Sequence, residues 1–358
     1  MRPNSSIFVG GHSCEITETG TDFIVVKCKN DFVMVDKMKI SLPGVTIDIP
    51  TITDRDQHDI NEFAIKGSVN FIAVSSVRKA MDIEFVRNML GPKTLGTKII
   101  AKIENHEGLS NFDEILAEAD GIMICRSDLS LEIPAEKVYI AQKWMIEKAN
   151  LAAKPVMIAS QMFESMIKSA RPTRQEASDI SNAVLDGVDA CILHSETVIG
   201  DYPINAVSML GKCCVEAEKT IDYRKAYNNL KIYSPAPFGT AESVSCAAVA
   251  AVLDLQVDLI IVLTDSGQLA RQVSKFRPEV PIICCSPSMD VVQSMNAQRG
   301  IWGVISKGDL GIDDQIHHSI NQGRKLKVCK IGSKVAVIHG SNEDTPEECN
   351  TMKIMTVE

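Results

Sequence analysis

Three charged residues stand where two predicted β-strands end. Lys102 and Glu104 close an aliphatic run over residues 97–103, and Asp128 follows a second apolar run over residues 121–125. Side chains alternate between the faces of a strand, so Lys102 and Glu104 point to the same side, about 6–7 Å apart along the strand. A lysine beside two carboxylates suits phosphoryl transfer, because carboxylates hold hard divalent cations and the ammonium group offsets developing negative charge.

The elements that would position these residues repeat one plan of short apolar strand, polar loop and amphipathic helix. A recurrence at roughly 20–35 residues is typical of successive parallel βα units. The five predicted strands cover residues 69–75, 97–103, 121–125, 155–160 and 189–193. The carboxyl ends of parallel strands share one edge of a sheet, so this edge should carry the site.

Capping signals set the limits of the helices between these strands. Thr173 and Glu176 form a capping box at the start of one helix, and Asp186-Gly187 ends it. Pro134 should open another helix, running to about Asn150, at the position where a missing N–H costs nothing.

The remaining chain divides into two further parts. After a proline-containing spacer at residues 233–238, a second α/β block begins. Its predicted elements are helix 240–255, strand 258–263, helix 267–276, strand 281–285, helix 290–298, and strands near 304, at 335–338 and at 352–357. The first 40 or so residues have no helical period, and residues 21–28 and 31–35 alternate like the strands of one hairpin.

Bulk composition excludes several classes of protein. The 358 residues are 45% hydrophobic and 23% charged, which is typical of a globular protein large enough for two domains. The net charge of −9 argues against a general nucleic-acid binder. No apolar run reaches the roughly 18 residues that a membrane span needs. The eleven cysteines show no metal-ligand spacing with the histidines, which favours reduced thiols and a cytoplasmic location.

The motifs, taken in order, resemble those of the pyruvate kinase family over nearly the whole chain. The matching stretches include Leu42-Pro-Gly44, Lys102-Ile-Glu-Asn-His-Glu-Gly108, Gln161-Met-Phe-Glu-Ser-Met166, Asn182-Ala-Val-Leu-Asp-Gly187 and Gly200-Asp-Tyr-Pro203. The resemblance implies an α/β fold: a remnant of an inserted β domain (residues 1–41), a partial (α/β)8 TIM barrel made of its last five strands (42–232), and a C-terminal α/β domain (233–358).

The resemblance also implies an activity, transfer of a phosphoryl group from phosphoenolpyruvate to ADP, giving pyruvate and ATP in glycolysis. Lys102 would then stabilise the transferring phosphoryl group, while Glu104 and Asp128 would hold Mg²⁺ or Mn²⁺. Ser75 would contact phosphate. The family also uses K⁺, whose ligands are not expected in this chain. A homo- or hetero-tetramer is expected, with no nucleic-acid or membrane partner.

Three serines and a histidine-containing turn depart from the family pattern. Ser160 stands for a threonine near the carbon that accepts a proton. Ser127 stands for a substrate-binding glycine, and Ser130 for a second glycine; serine would be strained there if the backbone needed a positive φ. In the first part of the chain, residues 9–12 (Val-Gly-Gly-His) lack an aspartate that faces the nucleotide in the family.

Larger departures concern the chain start and regulation. The chain is expected to begin inside the inserted domain and to lack the first three barrel strands, so low turnover is expected of it alone. Asp265 and Gln268 replace a lysine and an arginine of an activator loop, which predicts that sugar bisphosphates do not bind. Two other interpretations stay open: a catalytically silent interaction subunit, and a different barrel enzyme acting on phosphorylated small molecules.

Overall fold

Three separate sheets organise the protein. A computed structural model gives the structure and describes residues 5–45, 49–91, 94, 96–306, 311–340 and 349–358. The sheets follow one another along the chain, an antiparallel sheet first and two largely parallel sheets after it. Each sheet falls within one of the domain ranges inferred from the sequence, and those boundaries stay predictions.

The first sheet is antiparallel and has the order β3-β2-β1-β4. Its strands are β1 (Ser6–Val9), β2 (His12–Thr19), β3 (Ile24–Cys28) and β4 (Ile40–Ser41). Gly10 and Gly11, with φ of +56° and +86°, make the two-residue turn between β1 and β2. Such turns need a positive φ at both central positions, which glycine adopts without strain.

The predicted hairpin between residues 21–28 and 31–35 is wrong. β3 pairs with β2 instead, and residues 31–35 form no strand. β2 already offers a hydrogen-bonding edge close in sequence, so β3 folds back onto it. In residues 31–35, Phe32 stacks on the His12 ring with centroids 4.3 Å apart, while the next three side chains lie exposed.

The second sheet is parallel, and its strands follow in chain order. They are β5 (Phe71–Val74), β6 (Lys98–Ile103), β7 (Gly121–Cys125), β8 (Val156–Ala159) and β9 (Ala190–Ile192). All five predicted strands are present, four of them shorter than predicted. Within the described residues, no strand pairs with the outer edge of β5 or of β9.

Helices cover this sheet on one face. They are α1 (Asp54–Asp59) with a π-helical continuation (Ile60–Ile65), α2 (Ala80–Leu90), α3 (His106–Ser110), α4 (Phe112–Glu118), α5 (Arg126–Glu132), α6 (Val138–Leu151), α7 (Arg174–Asp186), α8 (Ser195–Val198) and α9 (Pro203–Glu218). The next helix, α10 (Tyr223–Tyr233), contributes Tyr227 to an apolar cluster of the third sheet. Ile99, Ala101 and Ile103 of β6 belong to the apolar cluster shared with the helices that cover the second sheet. Strand alternation therefore directs Lys98 and Lys102 to the opposite face.

The helix caps bear out one prediction and correct another. Thr173 Oγ1 accepts a hydrogen bond from the Glu176 N–H, and Gly187 ends α7 with φ of +102°. The helix expected to open at Pro134 begins at Val138 instead. Pro134 has an extended ψ of 130°, and its carbonyl accepts from Lys137 N at 2.8 Å, which inserts a 3₁₀ turn first.

The third sheet has the order β12-β11-β10-β13-β14, with only β14 antiparallel to its neighbour. Its strands are β10 (Leu259–Leu263), β11 (Ile282–Ser286), β12 (Ile301–Ile305), β13 (Lys334–Gly340) and β14 (Cys349–Thr356). Its helices are α11 (Thr240–Leu255), α12 (Gln268–Lys275), α13 (Met289–Met295) and α14 (Ile312–Lys325). Apolar clusters fill both faces. Among the described helices, none is long and apolar enough to cross a bilayer.

Candidate active site

Lys102 and Glu104 form an ion pair at the carboxyl end of β6. The Lys102 Nζ lies 2.9 Å from Glu104 Oε1 and donates a hydrogen bond to Ser75 Oγ at 3.0 Å. The Ser76 hydroxyl donates to Glu104 Oε2 at 2.7 Å. Because Glu104 is only 6% exposed, these donors replace the water that a carboxylate would otherwise bind.

Both members of this pair are charged around neutral pH. Burial alone would raise the pKa of Glu104, but the hydrogen bonds from Lys102 and Ser76 lower the pKa on balance. Burial alone would lower the pKa of Lys102, but its hydrogen bond to Glu104 raises the pKa on balance. A lysine held protonated inside a partly buried site is a fixed positive charge for an anionic reactant.

Asp128 completes the group from the next strand end. It lies in the first turn of α5, directly after β7, and lines the same pocket as Glu104. This pocket has a volume of about 270 Å³. The ammonium group of Lys39, next to β4 of the first sheet, contacts the Asp128 carboxylate. The site thus has walls from two sheets.

The two serines predicted to bind substrate, Ser127 and Ser160, lie outside this pocket. Ser127 is helical in α5, as is Ser130, so the strain considered for a positive φ does not arise. Ser160 follows β8 with φ of +69°, and Gln161 has φ of +53°. In the described structure, no contact joins the Ser160 hydroxyl to the Lys102–Glu104 pair, and neither Ser127 nor Ser160 lines the pocket.

Arg126 holds the strained turn at Ser160. Its side chain is buried, and it donates to the Ser160 carbonyl at 3.2 and 3.3 Å and to the Gln161 carbonyl at 2.6 Å. It also pairs with Asp179 at 2.5 Å. Consecutive positive φ angles outside glycine persist where surrounding contacts enforce them. Arg126 therefore fixes the backbone that carries Ser160.

Three of these residues were missed in the sequence: Lys39, Ser76 and Arg126. Ser76 carried a signal, since it adjoins Ser75 at the end of β5. Arg126 was inside a recognised motif, but a charged side chain is normally expected at the surface. Lys39 had no usable signal, because it lies 89 residues from its partner Asp128.

The donor set fits a hard divalent cation. Mg²⁺ is typically held by one or two carboxylates together with water and substrate oxygens, and Glu104 and Asp128 supply two carboxylates. In the described part of the chain, no cluster of three or more His, Cys, Asp or Glu residues is suited to a metal, so other ligands would come from solvent or substrate. Burial raises the pKa of nearby Cys125 to about 12, so its thiol stays protonated and is a poor ligand.

The fold and the site together define a class. Charged residues at the carboxyl edge of a parallel α/β sheet, with a lysine beside a carboxylate pair, are typical of barrel-type enzymes acting on phosphorylated substrates. Comparisons with known proteins carry this further. Residues 5–207 match the family model "Pyruvate kinase, barrel domain", and residues 242–355 match "Pyruvate kinase, alpha/beta domain".

Individual relatives agree with the family models. A pyruvate kinase of Eimeria tenella is 41% identical over 100% of this chain and 68% of its own length. One of Dictyostelium discoideum is 40% identical over 98% of this chain and 72% of its own length. A crystal structure of a Cryptosporidium parvum pyruvate kinase superposes with a TM-score of 0.93 at 37% identity, covering 100% of this chain and 73% of that one. The chain belongs to the pyruvate kinase family, whose reaction converts phosphoenolpyruvate and ADP into pyruvate and ATP.

Proposed function

We propose that this chain carries out the phosphoryl transfer of its family through Lys102, Glu104 and Asp128. The observation that supports this most directly is the charged pair at the end of β6, whose Glu104 lines one pocket together with Asp128. ADP is proposed as the nucleotide, since a Cryptosporidium parvum pyruvate kinase 38% identical to this chain has been solved in complex with ADP. Phosphoenolpyruvate is proposed as the donor.

Each residue has a role that follows from its position. Lys102 places a positive charge on the pocket face of the sheet, where it offsets charge on the transferring phosphoryl group. Ser75 bonds the lysine ammonium and offers its hydroxyl to phosphate. A divalent ion held by Glu104 and Asp128 would orient the phosphorylated substrate and offset its charge. Ser127 is proposed to contact substrate beside Asp128, and Ser160 to lie near the carbon that gains a proton.

The test is a coupled assay of pyruvate formation with lactate dehydrogenase, in the presence of Mg²⁺ and K⁺. Lys102→Met should abolish turnover, because it removes the positive charge that the transition state needs. Lys212→Met, at an exposed position of α9, is the matched control and should leave turnover unchanged. Equal turnover in Lys102→Met and the parent chain would refute the assignment of Lys102.

A second candidate function is favoured by the contact between Lys39 and Asp128. The Lys39 ammonium group contacts Asp128, which is one of the two carboxylates that a metal would use. A catalytically silent subunit, bound to active copies in a tetramer, would be consistent with it. Mn²⁺ titration followed by electron paramagnetic resonance separates the two. Binding that weakens in Glu104→Gln and Asp128→Asn supports the enzyme, whereas undetectable binding supports the silent subunit.

Two accompanying proposals concern assembly and location. A tetramer is proposed, which light scattering coupled to size-exclusion chromatography would test directly. A cytosolic location is proposed because one relative, 39% identical and from Arabidopsis thaliana, is named a probable cytosolic isozyme. Fluorescence microscopy of the tagged protein in its own cells would test the location.

Regulation by a sugar bisphosphate is proposed to be absent. Asp265 places a carboxylate in the loop before α12, and Gln268 places a neutral amide at the first position of α12, where a phosphate would need cations. Calorimetric titration with fructose bisphosphate should therefore show no binding at this loop. Micromolar affinity that disappears on a substitution in the loop, such as Gln268→Glu, would contradict the proposal.

A further inference from the structure

A second pocket lies at the opposite end of the parallel sheet from the active site. It has a volume of about 240 Å³ and is lined by the start of β6, the loops that precede β7 and β8, and helices α12 and α13. Lys98, which lines it, lies four residues before Lys102 on the same face of β6, so the two sites are about 13 Å apart along the strand. Apart from Gln268, the residues that line this pocket play no part in the function proposed above.

The charges that line this pocket are mainly positive. Lys98 comes from β6, Lys154 from the loop before β8 and Arg271 from α12, against a single carboxylate, Asp120. That carboxylate is already engaged: its Oδ2 accepts from Arg87 Nη2 at 3.1 Å and from the Ile99 N–H at 2.9 Å. The side chains that line the pocket therefore carry three positive charges against one negative charge.

Lys98 is the residue that most lacks a partner. Among the described residues, its ammonium group makes no hydrogen bond or ion pair, although the side chain is half-buried. Burial lowers the pKa of Lys98 and also that of Lys154; the charge of Asp120 raises both pKa values and that of Arg271 lowers them, with a lowered pKa on balance. An ammonium group that is desolvated and unpaired in this way gains stability from a bound anion.

A neutral group in the same pocket is also unsatisfied. The Oε1 atom of Gln272 is buried and has no hydrogen-bond partner in the described structure. A ligand that carries a hydroxyl group beside its negative charge would satisfy this oxygen and the lysine together. The pocket volume admits a small molecule but not a folded partner.

We propose that this pocket binds a small phosphate-bearing molecule, with its phosphate held by Lys98 and Arg271. Because one cation comes from β6 and the other from α12, the bound phosphate would tie the parallel sheet to the C-terminal α/β unit. Phosphate is favoured over a monocarboxylate because several cations converge, and a dianion offsets more of their charge.

The test is calorimetric titration of the full chain with inorganic phosphate, repeated in variants that remove one site at a time. In the absence of a divalent ion, the parent chain should bind phosphate at the pocket. Lys102→Met should keep the pocket binding. Lys98→Met should lose it, with an affinity lower by about tenfold to a hundredfold. Lys212→Met, an exposed lysine outside both sites, should bind like the parent chain.

Two further measurements keep the proposal refutable. If Lys98→Met fails to fold by circular dichroism, Arg271→Met, on the partly exposed surface of α12, replaces it and should show the same loss. Glycerol 3-phosphate should compete with inorganic phosphate for the pocket, as a phosphate ester with hydroxyl groups. Phosphate binding that disappears completely in Lys102→Met, or that is unchanged in both pocket variants, would overturn the proposal.

Discussion

Removing the Arg277 side chain should destabilise the contact between the second sheet and the C-terminal α/β unit. The loss of stability should be larger than that from breaking an exposed ion pair. Arg277 follows α12, and Asp189 precedes β9. Arg277 Nη1 lies 2.8 Å from Asp189 Oδ1 and Nη2 lies 3.3 Å from Oδ2, while Nη2 also donates to the Gly187 carbonyl at 2.9 Å. The Arg277 side chain is 8% exposed and that of Asp189 is fully buried.

The magnitude follows from this burial. Deleting one member of a buried ion pair leaves the other charge uncompensated and typically costs about 3–5 kcal/mol. Asp189 keeps hydrogen bonds from the N–H groups of Val156 and Arg299 in Arg277→Met, which moderates the loss. With an unfolding entropy of about 2.1 cal/mol/K per residue, a cost of 3–5 kcal/mol over the 358 residues lowers the melting temperature by about 4–7 °C.

The assay is thermal unfolding followed by circular dichroism, with Arg277→Met, Asp189→Asn and the double variant. The double variant should be little worse than either single variant, because each single change already breaks the pair. Arg224→Met is the matched control: its partner Asp254 lies 3.0 Å away, but both side chains are at least 60% exposed, so its cost should stay below about 1 kcal/mol. Equal shifts for Arg277→Met and Arg224→Met would refute the reasoning.

Three further predictions concern the candidate site. Lys39→Met should strengthen Mn²⁺ binding by no more than about fivefold in a paramagnetic resonance titration. The Lys39 side chain is 57% exposed, so its contact with Asp128 is worth at most about 1 kcal/mol. Weaker Mn²⁺ binding in this variant would show that Lys39 does not compete with the metal. Arg126→Met should lower kcat by tenfold or more with a smaller change in KM, since it releases the turn that carries Ser160, and a change confined to KM would contradict this. Glu104→Gln should make the free energy of unfolding depend less on pH in the acidic range. The lowered pKa of Glu104 stabilises the folded protein above the ordinary pKa of 4.5, and this stabilisation is lost as pH falls through the pKa of the folded state. Urea unfolding over roughly pH 3 to 7 checks this last prediction, and parallel curves for the parent chain and Glu104→Gln would rule it out.

Local signals account for the parts of the fold that could be predicted. The parallel strands followed from apolar runs, and the limits of α7 followed from the Thr173 capping box and Gly187, because these contacts lie within a few residues. The residues at the end of β6 could be placed on one face for the same reason. The shortened strands differ from the predicted ones by at most two residues at either end, which is the usual uncertainty of strand limits.

Contacts between distant segments account for what could not be predicted. Residues 31–35 alternate like a strand, yet β2 competes more successfully for β3, so pairing decided the outcome rather than pattern. Lys39 reaches Asp128 only because the first sheet packs over the parallel one. Burial of Arg126 depends on carbonyl groups that turn toward it from the end of β8, and nothing near Arg126 in sequence indicates that turn.

The charges around the candidate active-site pocket bear on the proposed role of a divalent cation. Among the described residues that line or adjoin it, acids outnumber bases: Glu104, Glu107, Asp128 and Glu132 against Lys39, Arg78 and Lys102. Two of the bases are engaged with the acids themselves, Lys102 with Glu104 and Lys39 with Asp128. Side chains alone therefore leave no surplus positive charge for phosphate. Under the function proposed above, a phosphorylated substrate in this pocket would gain its favourable electrostatic energy from a divalent ion held by Glu104 and Asp128.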